Sequence, residues 1–324
     1  MILAIETSCD DTCAAVVDPG RSVDAIRSNV VSSQGVHDRY GGVVPEVAAR
    51  HHLELLDLVV EDALNQAGIG LDDVSVVAAT QGPGLVGALL IGLCEGKAIA
   101  AARGLPFAPV DHLQGHVAAN FAEPFEPPFV CLIASGGHTL LTRVEGYDGF
   151  EVLGSTLDDA AGEAFDKGAR LLGLGYPGGP ALQRLAAEGD PAAYDFPTAQ
   201  RVAGLDFSFA GLKTALLYAL RDDPDADRAD LAASYQRAIV EQLARRVERA
   251  LEQTGLDRLA IGGGVAANGP LRERIASLGA TTHIPPHALC TDNAAMIGSA
   301  ARFQEPLAPG AYDEIDAYAT GERL

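Results

Sequence analysis

The amino-acid sequence predicts an α/β fold built from two similar halves, and three observations support this. A strand, a short polar turn and a second strand open the chain (MILAIETSCDDTCAAVVD), and the pattern returns near residue 130 (FVCLIASGGHTLLTRV). In each half a strand, a glycine-rich turn and a helix follow, and then a short strand leads into another helix. Because matching order is typical of a duplicated unit, we assign residues 1–125 to an N-terminal lobe and residues 126–324 to a C-terminal lobe.

The later elements of each half can be read in order. In the first half they are VSVVAATQGPG, LVGALLIGLCEGKAIAAARG and FAPVDHLQGHVAANF; in the second they are LDRLAIGGGVAANG, PLRERIASLG and THIPPHALCTDNAAMIGSAARF. A helical insertion is expected near residues 155–250, where apolar residues recur at three- and four-residue steps and Gly255 ends the longest helix. The last twenty residues, rich in proline, glycine and acids, are expected to form a surface tail. Since the glycine-rich turns follow strands, the ligand is expected in a cleft between the halves.

Composition excludes several classes of protein. No apolar run approaches the roughly 20 residues needed to cross a bilayer, and the N-terminus has no basic segment followed by a cleavage site, so we expect a cytoplasmic protein without membrane contact. Five cysteines without a CxxC pair indicate neither a disulfide framework nor a thiolate zinc site. With 44 acidic against 23 basic residues, the net charge is −21, which repels phosphate backbones. If the substrate is a nucleic acid, partner subunits are expected to supply positive charge.

Two hairpin turns are candidates for chemistry. In the ASGGHT turn, Gly136 and Gly137 let backbone N–H groups approach phosphate oxygens, and Ser135 adds a hydroxyl donor. The matching turn of the first half carries Asp10 and Asp11, which repel phosphate but could hold a metal-bound water or position a nucleophile. Each turn alone is also compatible with an ordinary β-turn.

Two further segments have both a structural and a functional interpretation. In GGGVAAN the glycines offer a flat surface for an adenine or ribose, and Asn268 offers a donor and an acceptor; the alternative is a simple helix-entry turn. In DDAAGEAFDKGA, Glu163 and Asp166 are three apart on a predicted helix and could bind a ribose diol or an amine; the alternative is a solvated helix face.

A metal site is predicted from both halves together. His112 and His116 are four apart in DHLQGHVAAN, so they share one helix face and could chelate one ion. A helix predicted to begin at Thr291 is the equivalent in the second half and carries Asp292 at its start. Two histidines and one aspartate suit iron(II), zinc or a similar divalent ion. A zinc protease is excluded, because HExxH would need glutamate where Leu113 stands.

The segments taken together resemble the TsaD/Gcp family along nearly the whole chain. They are IETSCDDT, HDRYGGVVPEVAARHH, GPGLVGALLIG, HLQGH, SGGHT, DDAAGEAFDKGA, YPGGP, FSFAGLKTA, GGGVAAN and CTDNAAMIG. The resemblance implies an actin/Hsp70/hexokinase-like fold with two duplicated lobes and a bacterial tRNA N(6)-adenosine threonylcarbamoyltransferase. Such an enzyme moves the threonylcarbamoyl group from threonylcarbamoyl-AMP to the exocyclic amine of the adenosine beside the anticodon, in tRNAs that read codons beginning with adenine.

The resemblance also implies roles for particular residues. His112, His116 and Asp292 would bind one metal ion, usually assigned as iron, and Asp10 or Asp11 is our candidate for accepting the amine proton. The adenylate would be bound by Ile133, Ala134, Ser135, Gly136, Gly137, Asp166, Gly179 and Asn268. The chain departs from the common SCDET motif, since Asp11 stands where the family has glutamate. The family's partners are a paralogous actin-like subunit, TsaB, the ATPase subunit TsaE and a synthase that makes the adenylate.

Two other functions are compatible with parts of this pattern. An ATP-dependent small-molecule kinase of the same superfamily would use similar phosphate turns and an aspartate base, but it has no need of the paired histidines and Asp292. A non-catalytic scaffold subunit is the second alternative, and the retention of all three metal ligands and the SGG turn argues against it.

Overall fold

The computed structural model describes residues 1–20, 25–121, 125–175, 177–200 and 202–319. The chain forms two compact units. Unit 1 comprises Met1–Pro127, Gly146–Gly149 and Asp292–Leu324, and unit 2 comprises Pro128–Glu145 and Phe150–Thr291. The predicted N-terminal lobe is therefore the main part of unit 1, and the end of the chain joins it. Within the described residues, no helix combines the length and the apolar character needed to cross a membrane.

The first 127 residues contain five strands and three α-helices among those described. The strands are β1 (Ile2–Glu6), β2 (Asp11–Val17), β3 (Ile26–Ser33), β4 (Val76–Gly82) and β5 (Phe107–Asp111), and the helices are α1 (Pro45–Ala67), α2 (Val86–Arg103) and α3 (His112–Ala118). The sheet order is β3-β2-β1-β4-β5. The first three strands are antiparallel, and β4 and β5 extend the sheet in parallel.

Unit 2 repeats this topology. Its strands are β6 (Phe129–Ala134), β7 (Thr139–Val144), β8 (Glu151–Ser155), β9 (Arg258–Gly262) and β10 (Thr281–His283), in the order β10-β9-β6-β7-β8. Its helices are α4 (Ala161–Leu171), α5 (Gly178–Ala186), α6 (Ala210–Asp222), α7 (Arg228–Thr254), α8 (Gly269–Ala276) and α9 (His287–Cys290). Three antiparallel strands are again followed by two parallel ones, which confirms the predicted duplication. The long helix α7 ends at Gly255, which has the positive φ of 68° typical of a helix C-terminus.

Strands β1, β2 and β4 of unit 1 are buried at nearly every position because both faces of the sheet are covered there. Leu3 and Ile5 pack into a core formed with α1 and α2. The intervening Ala4 faces the opposite side, where α10 (Ala294–Ala301) lies against β1 and β2. A Cβ on Gly298 of α10 would lie 2.5 Å from Cγ2 of Val17, so only glycine permits this close approach. Because α10 packs on this sheet, the C-terminal part of the chain belongs to unit 1.

The C-terminal part of the chain differs from the prediction in two respects. The helix begins at Ala294 rather than Thr291, because the Asn293 side chain accepts the N–H of Met296 and caps it. Leu307–Tyr318 lies largely exposed at the surface, as predicted, but it is anchored to unit 1 rather than free, because Tyr312 is 1% exposed and packs on Phe107. The aromatic side chains of this segment supply apolar area that the proline- and acid-rich composition conceals. Residues 320–324 of the predicted tail, and Tyr176 of the YPGGP turn, lie outside the described residues.

Candidate functional site

Helix α3 carries the two predicted metal-binding histidines. It begins directly after β5, where the Asp111 carboxylate accepts the N–H groups of Leu113 (2.8 Å) and Gln114 (3.0 Å) and so caps the first turn. The spacing of four residues places His112 and His116 on one face, with ring centroids 4.7 Å apart. Both side chains are buried. The N-cap therefore determines where the first imidazole enters the interior of unit 1.

Asp292 completes a group of three potential ligands. It lies just before the N-cap of α10, and its Oδ1 is 3.6 Å from Nε2 of His112 and 3.4 Å from Nε2 of His116. The three ligand atoms all lie within 4.8 Å of one another. The sequence predicted that these residues come from opposite lobes, but all three lie in unit 1 because α10 packs there. Gly115 permits close packing of α3 on α10, since a Cβ at that position would be 2.9 Å from Cδ1 of Ile297.

The chemistry of this group fits a divalent cation. Among the residues that the structure describes, neither ring nitrogen of His116 has a hydrogen-bond partner, although the side chain is fully buried. An unpaired buried polar atom costs about 1–3 kcal/mol, and coordination of a cation would remove that cost. Two imidazole nitrogens and one carboxylate oxygen suit iron(II) or zinc, and these three residues would hold the ion.

A buried carboxylate on β1 determines the electrostatics around His112. Glu6 is 1% exposed, and its Oε2 is 3.0 Å from Nδ1 of His112. Burial by itself would lower the pKa of His112, but the charges of Glu6 and Asp292 outweigh it and raise the pKa to about 9. Burial opposes ionisation of Glu6, yet His112 holds the pKa of that carboxyl below its usual range. This surplus of negative charge favours any cation, a proton or a metal, at the group.

Asp10 ends the turn between β1 and β2 and Asp11 is the first residue of β2, in the same unit as the three potential ligands. The backbone of this turn is held by Gln34, whose N–H donates to the carbonyl of Asp10 (3.1 Å). Burial is the main cause that raises the pKa of Asp11 to about 7, and the nearby charges of Asp292 and Asp10 add to it. A carboxylate with such a pKa is suited to accept a proton near neutral pH.

The YGGVVPEVAARHH segment supports this same turn. It leads into α1, where His52 is fully buried. Nε2 of His52 is 3.0 Å from the carbonyl oxygen of Cys9, and Nδ1 is 2.8 Å from the hydroxyl of Thr12. The histidine therefore ties the two ends of the acidic turn to α1.

The SGG turn of unit 2 lies where the sequence predicted it, between β6 and β7. Ile133 and Ala134 are buried at the end of β6, whereas Gly136 and Gly137 are exposed with open space beside them. The carbonyl of Ser135 accepts the N–H of Gly162 (3.0 Å) at the start of α4. The turn thus exposes its glycine backbone, while Ser135 is hydrogen-bonded to the start of α4.

Asp166 and Gly179 come together at the start of α5. The Asp166 carboxylate accepts the N–H of Gly178 at 2.8 Å, and Gly179 is the next residue of that helix. A Cβ on Gly178 would lie 2.7 Å from the Cα of Asp166, so the two helices touch closely at this point. Asp166 and Gly179 therefore lie at the contact between α4 and the start of α5.

Asn268 has a structural role in unit 2. Its Oδ1 accepts the N–H of Leu271 and caps α8, and its Nδ2 donates to the amide oxygens of Gln183 (2.8 Å) and Gln236 (2.9 Å). Since Gln183 belongs to α5, this network connects Asn268 to the helix that begins beside Asp166. The predicted substrate-binding residues of unit 2 therefore share one framework, while the predicted catalytic and metal-binding residues lie in unit 1.

Sequence reasoning missed Glu6 and Thr80, which lie beside the three potential metal ligands. Glu6 ends a strand that is buried at every position, and Thr80 donates a hydrogen bond to it from the neighbouring strand. A carboxylate at the end of an uninterrupted apolar strand was the available signal, because such a group is rarely buried without partners.

Comparisons with known proteins agree with the sequence resemblance. The model of the TsaD family, described as tRNA N6-adenosine threonylcarbamoyltransferase, matches residues 25–299. The protein of that name from Clostridium botulinum (strain 657 / Type Ba4) is 50% identical over 315 residues, covering 94% of this chain and 92% of that protein. The protein of the same name from Clostridium perfringens (strain SM101 / Type A) is 50% identical over 316 residues, with the same coverage.

Solved structures of lower identity show the fold. Component A of the (R)-2-hydroxyglutaryl-CoA dehydratase of Acidaminococcus fermentans aligns with a TM-score of 0.58 at 17% identity, covering 93% of this chain and 96% of that one. HypF of T. kodakarensis aligns with a TM-score of 0.62 at 16% identity, covering 93% of this chain and 46% of that one. The expected actin/Hsp70/hexokinase-like fold is confirmed.

Proposed function

This chain belongs to the TsaD family of tRNA N6-adenosine threonylcarbamoyltransferases, and from that premise we propose the reaction it performs. It transfers the threonylcarbamoyl group from threonylcarbamoyl-AMP to the exocyclic amine of the adenosine adjacent to the anticodon. The tRNAs concerned are those that read codons beginning with adenine. The observation that carries the proposal is the 50% identity to named transferases over 94% of the chain. A tRNA substrate implies that the protein works in the cytoplasm.

The transfer exchanges one bond for another. The amine nitrogen of the adenosine attacks the carbamoyl carbon of the mixed anhydride, a new C–N bond forms, and the bond from that carbon to the phosphate oxygen breaks. AMP leaves with the bonding electron pair, and the amine nitrogen loses one proton. The chain must therefore bind the adenylate, accept a proton and favour the charge on the leaving phosphate.

We assign the acceptance of the amine proton to the acidic turn of unit 1. Asp11 is the preferred acceptor because its raised pKa, about 7, keeps it basic enough to take a proton at neutral pH. Asp10 is the alternative on the same turn. Asp11 is one methylene shorter than the glutamate common in the family, so the hydrogen bonds that hold this turn against Gln34 and His52 are expected to matter for its reach.

We assign the adenylate to the residues of unit 2. The exposed backbone of Gly136 and Gly137 can donate to phosphate oxygens as charge develops there. Asp166 can accept from a ribose hydroxyl beside the glycine-rich start of α5, where Gly179 leaves room. Asn268 supports this framework through Gln183, and Ile133, Ala134 and Ser135 form its base.

His112, His116 and Asp292 would hold one divalent metal ion, which we propose to be iron(II), with zinc as the alternative. When bound, such an ion supplies Lewis-acid polarisation of a substrate oxygen or a counter-charge for phosphate. The buried nitrogens of His116, which have no hydrogen-bond partner among the described residues, support this assignment. The same assignment separates the transferase from the kinase and scaffold alternatives.

The net charge of −21 requires help in holding tRNA. We propose that a paralogous actin-like subunit (TsaB) and an ATPase subunit (TsaE) assemble with this chain, and that a separate synthase supplies the adenylate. Positive charge contributed by the assembly would offset the repulsion between this acidic chain and the phosphates.

The deciding experiment is transfer in vitro from separately prepared threonylcarbamoyl-AMP to unmodified tRNA, with and without the partner subunits. We expect threonylcarbamoyladenosine to form with the complete set and His116→Gln to abolish it. The matched control is His287→Gln, since His287 is exposed on α9. Absence of product with the complete set would refute the function, and equal activity of both variants would refute the metal assignment.

A further inference from the structure

Beneath the three potential metal ligands lies a second layer of buried polar side chains. We infer that Glu6 is a positioning residue that holds His112 in the tautomer with Nδ1 protonated, so that Nε2 is available to a metal ion. The inference rests on the metal site of the proposed function and extends it to a residue that does not touch the ion. Its argument uses only contacts within unit 1.

Among the described residues, three groups lie within hydrogen-bond distance of the Glu6 carboxylate, and the Ser8 hydroxyl lies 3.2 Å from Nδ1 of His112. Oε1 accepts the backbone N–H of Ser8, and Oε2 accepts the hydroxyl of Thr80. Oε2 also lies 3.0 Å from Nδ1 of His112, so the ring must present an N–H to it. These groups are 1–4% exposed, which leaves little room for water to substitute for any of them.

The protonation of Nδ1 has a consequence on the other side of the ring. A metal ion at Nε2 replaces any proton there, so the His112 ring then carries its one remaining proton on Nδ1, the nitrogen that faces Glu6. Nε2 is the atom that lies 3.6 Å from Oδ1 of Asp292, within the group that could hold the ion. A carboxylate behind a ligating histidine is a common arrangement that orients the ring and raises its basicity.

An amide cannot replace this carboxylate, even though Gln has the same shape. If the amide oxygen of Glu6→Gln accepts from Ser8, its NH₂ faces Nδ1 of His112 and forces the proton onto Nε2. If the amide is flipped, its NH₂ opposes the N–H of Ser8. The first orientation places a proton on Nε2, the nitrogen that would bind the metal ion, and the second places two donors against each other. Glu6→Gln therefore tests whether the protonation of Nδ1 is needed for metal binding, without changing the shape of the side chain.

The experiment measures the affinity of the purified full-length chain for Zn²⁺ alone, by competition with a chromophoric chelator. We expect Glu6→Gln to weaken binding by about 10- to 100-fold. The matched control is Thr80→Val, which removes another hydrogen bond from the same carboxylate without touching His112. We expect it to change the affinity by less than about threefold, because the tautomer is preserved.

A measurement on the unaltered chain keeps the inference testable if Glu6→Gln does not fold. Nitrogen NMR of the histidine-labelled, Zn²⁺-loaded chain, assigned with His112→Gln, should show a proton on Nδ1 of His112 and the metal on Nε2. Metal on Nδ1 would overturn the inference, as would equal affinities of the unaltered chain and folded Glu6→Gln. If the unaltered chain itself binds no Zn²⁺, the proposed metal site fails rather than the role of Glu6 within it.

Discussion

Replacing Asp11 with Asn tests whether the acidic turn of unit 1 accepts the amine proton. The substitution keeps the shape of the side chain and removes its ability to take a proton. A general base contributes about 10²- to 10⁴-fold to a rate, so we expect Asp11→Asn to slow transfer by that factor while the affinity for the adenylate is unchanged. Asp18→Asn, the same change on a partly exposed carboxylate after β2 that pairs with Arg27, is the matched control.

The raised pKa of Asp11 also predicts a pH dependence for the unaltered chain. The base must be ionised to act, so the rate should rise with pH through about 7 and then level off. With that pKa, roughly one tenth of the chains are ionised at pH 6 and roughly nine tenths at pH 8, a tenfold difference in rate. An aspartate at its ordinary pKa of 3.8 would be fully ionised over this range, and the profile would be flat.

Single-turnover transfer from prepared adenylate, with partner subunits and saturating tRNA, is the assay, since it isolates the chemical step. A flat profile between pH 6 and 8, together with normal turnover by Asp11→Asn, would refute the assignment. If Asp10→Asn instead abolishes transfer, the base is Asp10 and the argument from burial is wrong.

Three further predictions follow from burial and charge. His116→Leu should abolish stabilisation by Zn²⁺ and raise the free energy of unfolding of the metal-free chain by about 1–2 kcal/mol, because it removes buried nitrogens that have no hydrogen-bond partner among the described residues. Denaturant titrations measure both effects, and a destabilised metal-free variant would contradict this. Tyr312→Ala should lower the free energy of unfolding by about 3–5 kcal/mol, since the ring is buried against Phe107. Tyr312→Phe should lower the free energy of unfolding by only about 1 kcal/mol, because it removes only the hydrogen bond to the carbonyl of Leu105. If Tyr312→Ala and Tyr312→Phe lower it equally in urea unfolding, the ring is not packed on Phe107. The isolated chain should bind tRNA only with a Kd above about 10 µM at physiological salt, and submicromolar binding in a titration would show that its charge of −21 is no barrier.

Much of the fold could be predicted because the relevant signals are local. The strand–turn–strand pattern at both hairpins, the end of α7 at Gly255 and the alternation of strands and helices each depend on a few neighbouring residues. The spacing of His112 and His116 belongs to this class, because four residues bring two side chains to one helix face.

Other features were predicted differently or missed because they depend on contacts between distant segments. The composition of the final residues indicates a tail, yet Tyr312 and its neighbours dock on the core of unit 1. Nothing near Glu6 in the sequence shows that its carboxylate meets His112, since that contact depends on the register of β1 with β4 and on the entry of α3.

The duplicated α/β plan, the family resemblance and the identity of the three potential metal ligands can be predicted from the amino-acid sequence. The folded chain is needed to show that Asp292 reaches both histidines from within unit 1, and that Glu6 lies behind one of them. Backbone periodicity is set by neighbouring residues, whereas contacts between distant side chains require close packing. Here Gly115 and Gly298 permit that packing, by letting α10 approach α3 and the sheet.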